Sequence, residues 1–382
     1  MVVPATENTG HTHLTLLARG CTAVRLLCAL LIAAPAITLF AQDTPAQFSD
    51  LASQAAAARD QKNLPLAIDL YTKAVQANPG WTEGWWYLGL LQYSSDQYAP
   101  AIDALNHLLQ LQSHNAPAMA MRGLCEFETA AYDDSLRDLE QSIAHGAAAE
   151  TSHEPILRYH LGLLLTRAGR FYDALNQYRL LATKHDQGPG LPIAIGLAGM
   201  RVRNLPGDLN PQDRDLYQIA GKGAYALMAG DSDAAGALFR DAFVRYPTTA
   251  NLHYFYGFLL FPHDRGLAAE EFRREVEINP SSELSTGMLA FTLMYTGHYA
   301  EAIPVAQRAV AAAPGMVIAQ LALGRSLIET GDQAHGTEIL NQILANDPNN
   351  LEAHLGLVAA YSRAGRTEDA YRERMVCLGL VK

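Results

Sequence analysis

Apolar side chains recur along most of the chain at spacings of three and four residues, and short polar segments separate the apolar stretches. This spacing is typical of amphipathic α-helices, because it places the apolar side chains on one face of the helix. Trp85 and Leu88 belong to one such stretch, and Ala101, Leu105 and Leu108 belong to the next. The pattern predicts an all-α fold.

A small residue marks the second apolar stretch of each unit, and most neighbouring marks are 33 or 34 residues apart. These marks are Ala67, Ala101, Ser135, Ala174, Ala235, Ala268, Ala302, Gly336 and Ala370. A second series of small residues precedes most of them by twelve positions: Ala55, Gly89, Gly123, Gly162, Gly223, Gly257, Ala290 and Gly324. Since small residues on facing helices let two backbones approach closely, each unit is predicted to be a helix, a turn and an antiparallel helix.

Glycine and proline divide the units at regular places. Between the two halves of a unit stand Gly169, Gly230, Gly297, Gly331 and Gly365. Glycine just past a helix end adopts the left-handed conformation that terminates the helix. At the ends of units stand Pro79, Pro247, Pro280, Pro314 and Pro348, which prevent the second helix from continuing.

The repeat resembles the tetratricopeptide repeat. The resemblance rests on the period of 34, on Trp-x-x-Leu-Gly at Trp85–Gly89 and on Asn78-Pro79-Gly80-Trp81 at a unit boundary. It covers residues 48–188, with about four repeats, and residues 216–382, with about five. It implies a right-handed superhelical solenoid of antiparallel helix pairs (an alpha-alpha superhelix) that binds other proteins.

Residues 189–215, called the insert here, interrupt the array. The separation between Ala174 and Ala235 is 61 residues instead of 34. The insert contains Pro189-Gly190-Leu191-Pro192, an apolar run and a polar loop, which predict one unpaired helix followed by a loop. This helix is interpreted as a joint between two arms of the solenoid, and the alternative is a built-in ligand of the groove.

The first 41 residues have the features of a secretory signal. Arg19 and Arg25 precede an apolar run at residues 26–40, and the polar Gln42 follows Ala41. The run is short for a membrane span, which needs about 20 apolar residues. A cleaved signal peptide is therefore expected, with an uncleaved N-terminal anchor as the alternative. Either predicts a periplasmic or extracellular location, the anchor giving a membrane-tethered protein that faces the periplasm.

The charge composition of the chain argues against a nucleic-acid partner. The chain has 28 basic and 39 acidic residues, a formal net charge of −11, without a basic stripe that could neutralise phosphates. Nucleic acid is therefore not expected as a partner.

Cys125 and Cys377 lie in helical patterns and are interpreted as packed thiols, in preference to a disulfide.

Catalytic and metal-binding motifs are not found in the sequence. It has no phosphate-binding loop, no His-Glu-x-x-His pair and no Gly-x-Ser-x-Gly elbow. Gly221-Lys222-Gly223 resembles part of a nucleotide loop but falls at the close-packing position of a helix. His153 and His160 are seven residues apart, about 10 Å along a helix, too far to share one zinc. No enzyme activity, cofactor or metal is expected.

First-helix positions that face the groove in the tetratricopeptide family are mostly aromatic here. As implied by the resemblance, the partner-binding groove contains Tyr254, Phe258, Phe291, Met294, Tyr295, Tyr217, Trp86, Tyr93 and Tyr159. Aromatic anchors dominate the affinity of many protein interfaces. The alternative is that some of these rings pack against the adjacent unit.

The leading functional hypothesis is a non-catalytic scaffold that binds a protein or peptide segment in this groove. A second hypothesis is an assembly factor for envelope or secretion machinery, tethered through residues 26–40. A third is a hydrolytic or carbohydrate-active enzyme hidden in the repeats, which would need a cleft of converging polar groups.

Overall fold

The computed structural model describes residues 45–147, 154–186 and 188–381. The predicted leader at 1–41 and the tether at 26–40 lie outside these residues. In the described ranges, no helix combines the length and the apolar character needed to cross a membrane.

The chain before the insert forms four helix pairs. They are α1 (Pro45–Asp60) with α2 (Leu64–Ala77), α3 (Thr82–Tyr93) with α4 (Tyr98–Leu111), α5 (Ala116–Glu128) with α6 (Tyr132–Ala144), and α7 (Glu154–Arg167) with α8 (Phe171–Thr183). The insert then contributes the unpaired helix α9 (Leu191–Gly199) and a 3-10 turn at Pro206–Asp208.

Five further pairs follow the insert. They are α10 (Arg214–Met228) with α11 (Ser232–Arg245), α12 (Leu252–Leu260) with α13 (Arg265–Ile278), α14 (Glu283–Tyr295) with α15 (Tyr299–Ala312), α16 (Val317–Thr330) with α17 (Gln333–Asn346), and α18 (Leu351–Arg363) with α19 (Thr367–Leu380). The described residues contain no strand, and consecutive helices pack against each other throughout. The predicted all-α solenoid of antiparallel helix pairs is confirmed.

One steric fit recurs inside the pairs. A glycine of the first helix faces a large side chain sixteen positions later, on the second helix. A Cβ at Gly89 would lie 2.9 Å from Leu105, one at Gly162 would lie 2.3 Å from Tyr178, and one at Gly223 would lie 2.9 Å from Phe239. At these three contacts a Cβ would force the facing side chain to shift, which favours glycine there, whereas Ala55 and Ala290 occupy the same position in two other units.

The turns between paired helices use the left-handed conformation. The predicted glycines Gly169, Gly230, Gly297, Gly331 and Gly365 all have positive φ angles. The first three units place Lys62, Asp96 and Ala130 in the same conformation, with φ between 57° and 61°. The predicted helix-ending role of the turn glycines is confirmed, although the early units achieve the turn without glycine.

The first helices of neighbouring units lie closer together than the second helices. Direct packing joins α3 to α5, α5 to α7, α14 to α16 and α16 to α18. Second helices instead pack against the first helix of the next unit, as α4 does against α5. Because one row of helices is more closely spaced, the surface lined by first helices is the concave side of each arm.

Helix α9 is a buried element between the two arms. Every residue of α9 except Pro192 is buried, and the helix packs against α7, α8 and α10. Its contact with α10 is close: a Cβ at Gly196 would lie 2.1 Å from the Tyr217 carbonyl oxygen, and one at Gly221 would lie 1.7 Å from that of Pro192. This burial fits the interpretation of the insert as a joint, and not as a ligand lying in a groove.

A buried acidic cluster stabilises the third unit. Arg122 donates hydrogen bonds to both carboxylate oxygens of Asp138, at 2.5 and 2.8 Å, and one to Asn106 at 2.7 Å. Glu126 is also buried, and its Oε2 has no hydrogen-bond partner among the described residues. Burial, followed by the charge of Asp138, raises the pKa of Glu126 to about 7, although Arg122 lies 3.8 Å from its Oε1.

The two cysteines of the described chain are free and buried. The interpretation as packed thiols is confirmed. Burial raises the pKa of the Cys125 thiol to about 12, so this side chain behaves as a small apolar residue.

The contact between α9 and α10 gives a first prediction. Gly221→Ala places a methyl group against the backbone of α9, so the helices must separate, and we expect the free energy of unfolding to fall by about 3 kcal/mol. Urea unfolding followed by circular dichroism measures the change. In the control Gly379→Ala, the new methyl group meets open space, and helix propensity should raise stability slightly. Equal stability of Gly221→Ala and the parent would contradict this packing.

Glu126 gives a prediction about pH. An unfolded glutamate ionises near pH 4.5, whereas folded Glu126 keeps its proton to about pH 7. The folded state therefore binds more protons in this window, and this residue makes stability fall as pH rises from about 4.5 to 7. Glu126→Gln should remove this component and raise the free energy of unfolding at pH 8 by about 2 kcal/mol, with little change at pH 4.

Urea unfolding at several pH values tests this, with the exposed neighbour Glu128 as control through Glu128→Gln. The same pH dependence in Glu126→Gln and in the parent would show that Glu126 is ionised in the folded protein.

Candidate binding surface

The predicted aromatic groove is largely filled by its own side chains. Tyr254 is 7% exposed and Met294 is 2% exposed, so both belong to the core and offer no surface to a partner. The other seven predicted residues are half-buried: Phe258, Phe291, Tyr295, Tyr217, Trp86, Tyr93 and Tyr159. For Tyr254 and Met294, the alternative of packing inside the array describes the structure better, and contact of the other seven with a partner stays a prediction.

Tyr254 and Phe258 lie where the two arms meet. Their rings stack at a centroid distance of 6.1 Å, and Phe258 contacts the ring of Tyr172 on α8 at 6.1 Å. Phe171 of α8 and Ala198 of α9 line the same small cavity as Tyr254. Residues of α8 and α9 thus lie against Tyr254, which is buried, and Phe258, which is half-buried, and a repeat register alone does not contain this contact.

Phe291 and Tyr295 form a second cluster on the concave side. Their centroids are 4.9 Å apart, and Phe261 stacks on Phe291 at 5.9 Å. The guanidinium of Arg265 lies 4.9 Å from the Tyr295 centroid, a cation–π contact. The structure thus groups Phe291 with Tyr295, while Trp86, Tyr93, Tyr159 and Tyr217 lie on the separate helices α3, α7 and α10.

Two adjacent pockets flank the start of the insert. The apolar pocket, about 350 Å³, is lined by Pro155, Ile156, Tyr159, His160, Leu181, Asp186 and Gly188–Leu191. The polar pocket, about 370 Å³, is lined by Gly188, Pro189, Leu191, Pro192, Gln218, Lys222 and Tyr225. Since Gly188, Pro189 and Leu191 line both, the pockets meet across this segment. Of the nine predicted groove residues, Tyr159 alone lines one of these two pockets.

Local sequence explains the shape of the shared wall. The Asp186 side chain accepts a hydrogen bond from the Gly188 N–H at 3.0 Å, which turns the chain after α8. A Cβ at Gly190 would lie 2.3 Å from the Tyr159 hydroxyl, so glycine is needed for the ring to reach the wall. Pro192 lies in the first turn of α9, where a missing N–H has no cost.

His160 contributes a neutral ring to the apolar pocket. Its Nδ1 lies 2.8 Å from the Ile156 carbonyl oxygen, which can only accept, so Nδ1 carries the proton. Burial lowers the pKa of His160, and the edge-to-face contact with Phe127 at 4.8 Å keeps the ring in an apolar setting. Ile156 at the same pocket is 44% exposed, so an apolar side chain is accessible at the pocket.

A stripe of polar side chains from α10 lines the polar pocket. Gln218, Lys222 and Tyr225 are separated by four and three residues, which puts them on one helix face. The Tyr225 hydroxyl is buried and lacks a hydrogen-bond partner among the described residues. The Lys222 ammonium is exposed and forms no ion pair with any described carboxylate. The stripe therefore contains donors that the folded chain leaves unused.

Sequence reasoning missed most of these pocket residues. The i, i+4, i+7 spacing of Gln218, Lys222 and Tyr225 places them on one helix face. Gly221, at a close-packing position of the same helix, marks the neighbouring face that packs on α9. The polar stripe must then flank that contact. For Pro155 and His160 the sequence carries no such signal, since their exposure depends on the path of the chain between α8 and α9.

The ionisable side chains of the apolar pocket have structural hydrogen bonds. His160 bonds to the Ile156 carbonyl and Asp186 to the Gly188 N–H. Within the described ranges, no three His, Cys, Asp or Glu side chains are grouped as metal ligands would be. The lining of the first pocket is mostly apolar, and the lining of the second also includes the three polar side chains of α10.

The family comparison agrees with the repeat register. Residues 288–335, from α14 to α17, match the family model described as "Tetratricopeptide repeat". No curated protein matches the chain.

Several solved structures resemble parts of the chain. The "MamA RS-1 ArsTM double mutant" is 19% identical over 45% of this chain and 95% of its own, with a TM-score of 0.39. A tetratricopeptide repeat protein from Parabacteroides merdae ATCC 43184 is 17% identical over 64% of this chain and 98% of its own, with a TM-score of 0.35. These scores are low, and the fold follows from the helix order and packing of the chain itself.

The burial of Tyr254 gives a prediction about stability. Tyr254→Ala removes a core ring that contacts Phe258 and Phe272, so we expect the free energy of unfolding to fall by about 3 kcal/mol. Tyr371→Ala, at a position 62% exposed, should change it by less than about 1 kcal/mol. Urea unfolding compares the two variants. Equal small losses would indicate that the Tyr254 ring is accessible, as the sequence prediction required.

Proposed function

We propose that this tetratricopeptide-repeat chain is a non-catalytic scaffold that binds an extended apolar segment of a partner protein in the apolar pocket beside the insert. Tetratricopeptide repeats are protein-interaction modules, which supports the general role but leaves the position open. The single observation that supports this position is an accessible apolar cavity of about 350 Å³ between the first arm and the insert.

The cavity suits a side chain inserted from an extended segment. Ile156, Pro155 and Leu181 offer apolar surface, and the rings of Tyr159 and His160 are rigid contacts with little entropy to lose. The second pocket, beyond Pro189, gives the segment a continuous path across the insert. Helices of both arms line this path, so the contact between α9 and α10 that joins them also fixes the shape of the site.

The non-catalytic part of the proposal is supported by the roles of the ionisable lining residues. A catalytic histidine acts together with a nucleophile or carboxylate within hydrogen-bond reach. In the apolar pocket, His160 Nδ1 bonds to the Ile156 carbonyl oxygen, Asp186 bonds to the Gly188 N–H, and His160 has no hydroxyl, thiol or carboxylate partner among the described residues. The apolar lining around them favours binding over proton transfer.

Selection from a random dodecapeptide library displayed on phage tests the proposal with the full chain as bait. We expect the selected peptides to be rich in apolar residues, and Ile156→Asp to weaken their binding at least tenfold, because it puts a charge against their apolar side chains. Fluorescence anisotropy with synthetic copies of the selected peptides measures the affinities. Ile156 lies in the first turn of α7, where an aspartate is compatible with the helix.

Val244→Asp is the matched control, because Val244 is an exposed apolar residue of α11 that lines neither pocket. It should leave the affinities unchanged. Peptides that bind Ile156→Asp as tightly as the parent would place the binding surface elsewhere, and an unchanged far-ultraviolet circular dichroism spectrum confirms that each variant is folded.

A further inference from the structure

A third pocket, called the arginine pocket here, lies at the C-terminal end of α7. It measures about 330 Å³ and combines two guanidinium groups with the carboxylate of Asp133. Arg167 belongs to the last turn of α7, and Arg203 belongs to the insert. Since the apolar pocket is lined by the first two turns of α7, the two pockets lie at opposite ends of this helix. The full lining is Tyr132, Asp133, Leu136, Leu164, Arg167, Ala168 and Arg203.

Within the described chain, both guanidinium groups lack a carboxylate partner. No described side chain forms a hydrogen bond or an ion pair with Arg167 or Arg203, and this includes Asp133 in the same lining. Arg308 on α15 is also exposed and unpaired among the described residues, so the lack of a partner is not by itself a sign of a site. What distinguishes Arg167 and Arg203 is that they line one cavity.

Neighbouring groups position both guanidiniums at the pocket and leave their N–H donors unbonded. The Cζ of Arg167 lies 4.4 Å from the centroid of the Tyr132 ring, a cation–π contact. The guanidinium of Arg203 lies over Gly169, where a Cβ would be 2.6 Å from its Nη2. A side chain at residue 169 would displace this group. Two sets of charged donors are therefore placed to bind an oxyanion.

The charge of the lining favours a singly charged oxyanion. The two guanidiniums and Asp133 leave an excess of one positive charge, which a carboxylate neutralises. A phosphate dianion would instead leave an excess of negative charge beside Asp133, in a chain whose formal net charge is already −11. A planar guanidinium also matches a carboxylate through two parallel hydrogen bonds.

A row of ring contacts connects the arginine pocket with the apolar pocket. The His160 ring lies 4.8 Å from that of Phe127, which lies 5.6 Å from that of Tyr132. Phe127 and Tyr132 are half-buried, so part of this row is accessible. Ile156 and Arg167 are eleven residues apart on α7, which is about three turns, so they lie on one helix face about 16 Å apart. An extended segment spans this distance with about five residues.

We propose that Arg167 and Arg203 bind the carboxylate of an aspartate or glutamate that lies about five residues from the apolar residue of the same partner segment. This rests on the proposed function, because the apolar residue occupies the apolar pocket. The arginine pocket adds a charge and a spacing to what the partner must carry.

Four hexapeptides, acetylated and amidated so that their ends are neutral, test the charge and the spacing. They are Leu-Gly-Ser-Gly-Ser-Glu, its counterpart ending in Gln, its counterpart ending in phosphoserine, and the isomer Leu-Gly-Glu-Ser-Gly-Ser. Titrations of the full chain, followed by the methyl NMR signals of its isoleucines, give the dissociation constants. We expect the first peptide to bind about fivefold more tightly than the glutamine peptide and the isomer, because only its glutamate reaches the arginine pocket while leucine occupies the apolar one. The phosphoserine peptide should bind no more tightly than the first.

Arg203→Met and Arg167→Met should each abolish the advantage of the glutamate peptide. Both should leave the glutamine peptide unaffected, which also shows that the variants are folded. Arg308→Met removes the same charge from another exposed, unpaired arginine, so it is the matched control and should retain the advantage.

Equal binding of the glutamate peptide, its glutamine counterpart and the isomer would overturn the carboxylate assignment alone, as would an advantage that persists in Arg203→Met. Tighter binding of the phosphoserine peptide would replace the carboxylate by a phosphate and overturn the charge argument. If Ile156→Asp left the binding of the glutamine peptide unchanged, or if no peptide bound, the apolar pocket and with it the proposed function would fail.

Discussion

The structure depends on one steric constraint, the fit of a large side chain of the second helix over a glycine of the first. At Gly162 and Gly223 the partners are the rings of Tyr178 and Phe239, both fully buried. At both contacts a Cβ would overlap the ring, so glycine lets the two helices approach this closely. Each pair of helices thereby acquires a fixed spacing, and units of fixed spacing stack into an array in which each contacts its neighbours.

A similar steric constraint joins α9 of the insert to α10, but there two backbones are in contact and no ring lies between them. Gly196 and Gly221 bring α9 and α10 so close that any Cβ would meet a carbonyl oxygen. Helix α9 has no paired helix, but it is buried because it packs against helices of both arms. It also fixes which residues of α10 lie beside the contact, and these include the polar stripe with Lys222. The cavities beside the insert therefore follow from the way the arms are joined.

The sequence was sufficient for the helix pairs of the repeats, although not for the burial of Met294 within them. The positions of Gly89, Gly169 and Pro79 predicted the helix pairs, their turns and their ends, because each residue type there has one steric role. The sequence was insufficient where the repeat is broken. Tyr254 and Phe258 have groove-facing positions in their own unit, yet α8 and α9 cover them. Their burial depends on the path of the insert. Contacts between residues far apart in the chain determine that path, so the repeat period does not predict it.

The burial of the predicted aromatic residues also changes where binding energy is available. The Tyr254 ring is buried against Phe272 and has lost its hydration on folding, so a partner would gain little from covering it. Ile156 is 44% exposed, so its apolar surface still gains when a partner replaces the water around it. The contribution of a side chain to recognition depends on what folding has left unsatisfied, which favours the irregular insert over the regular array as the place where a partner binds.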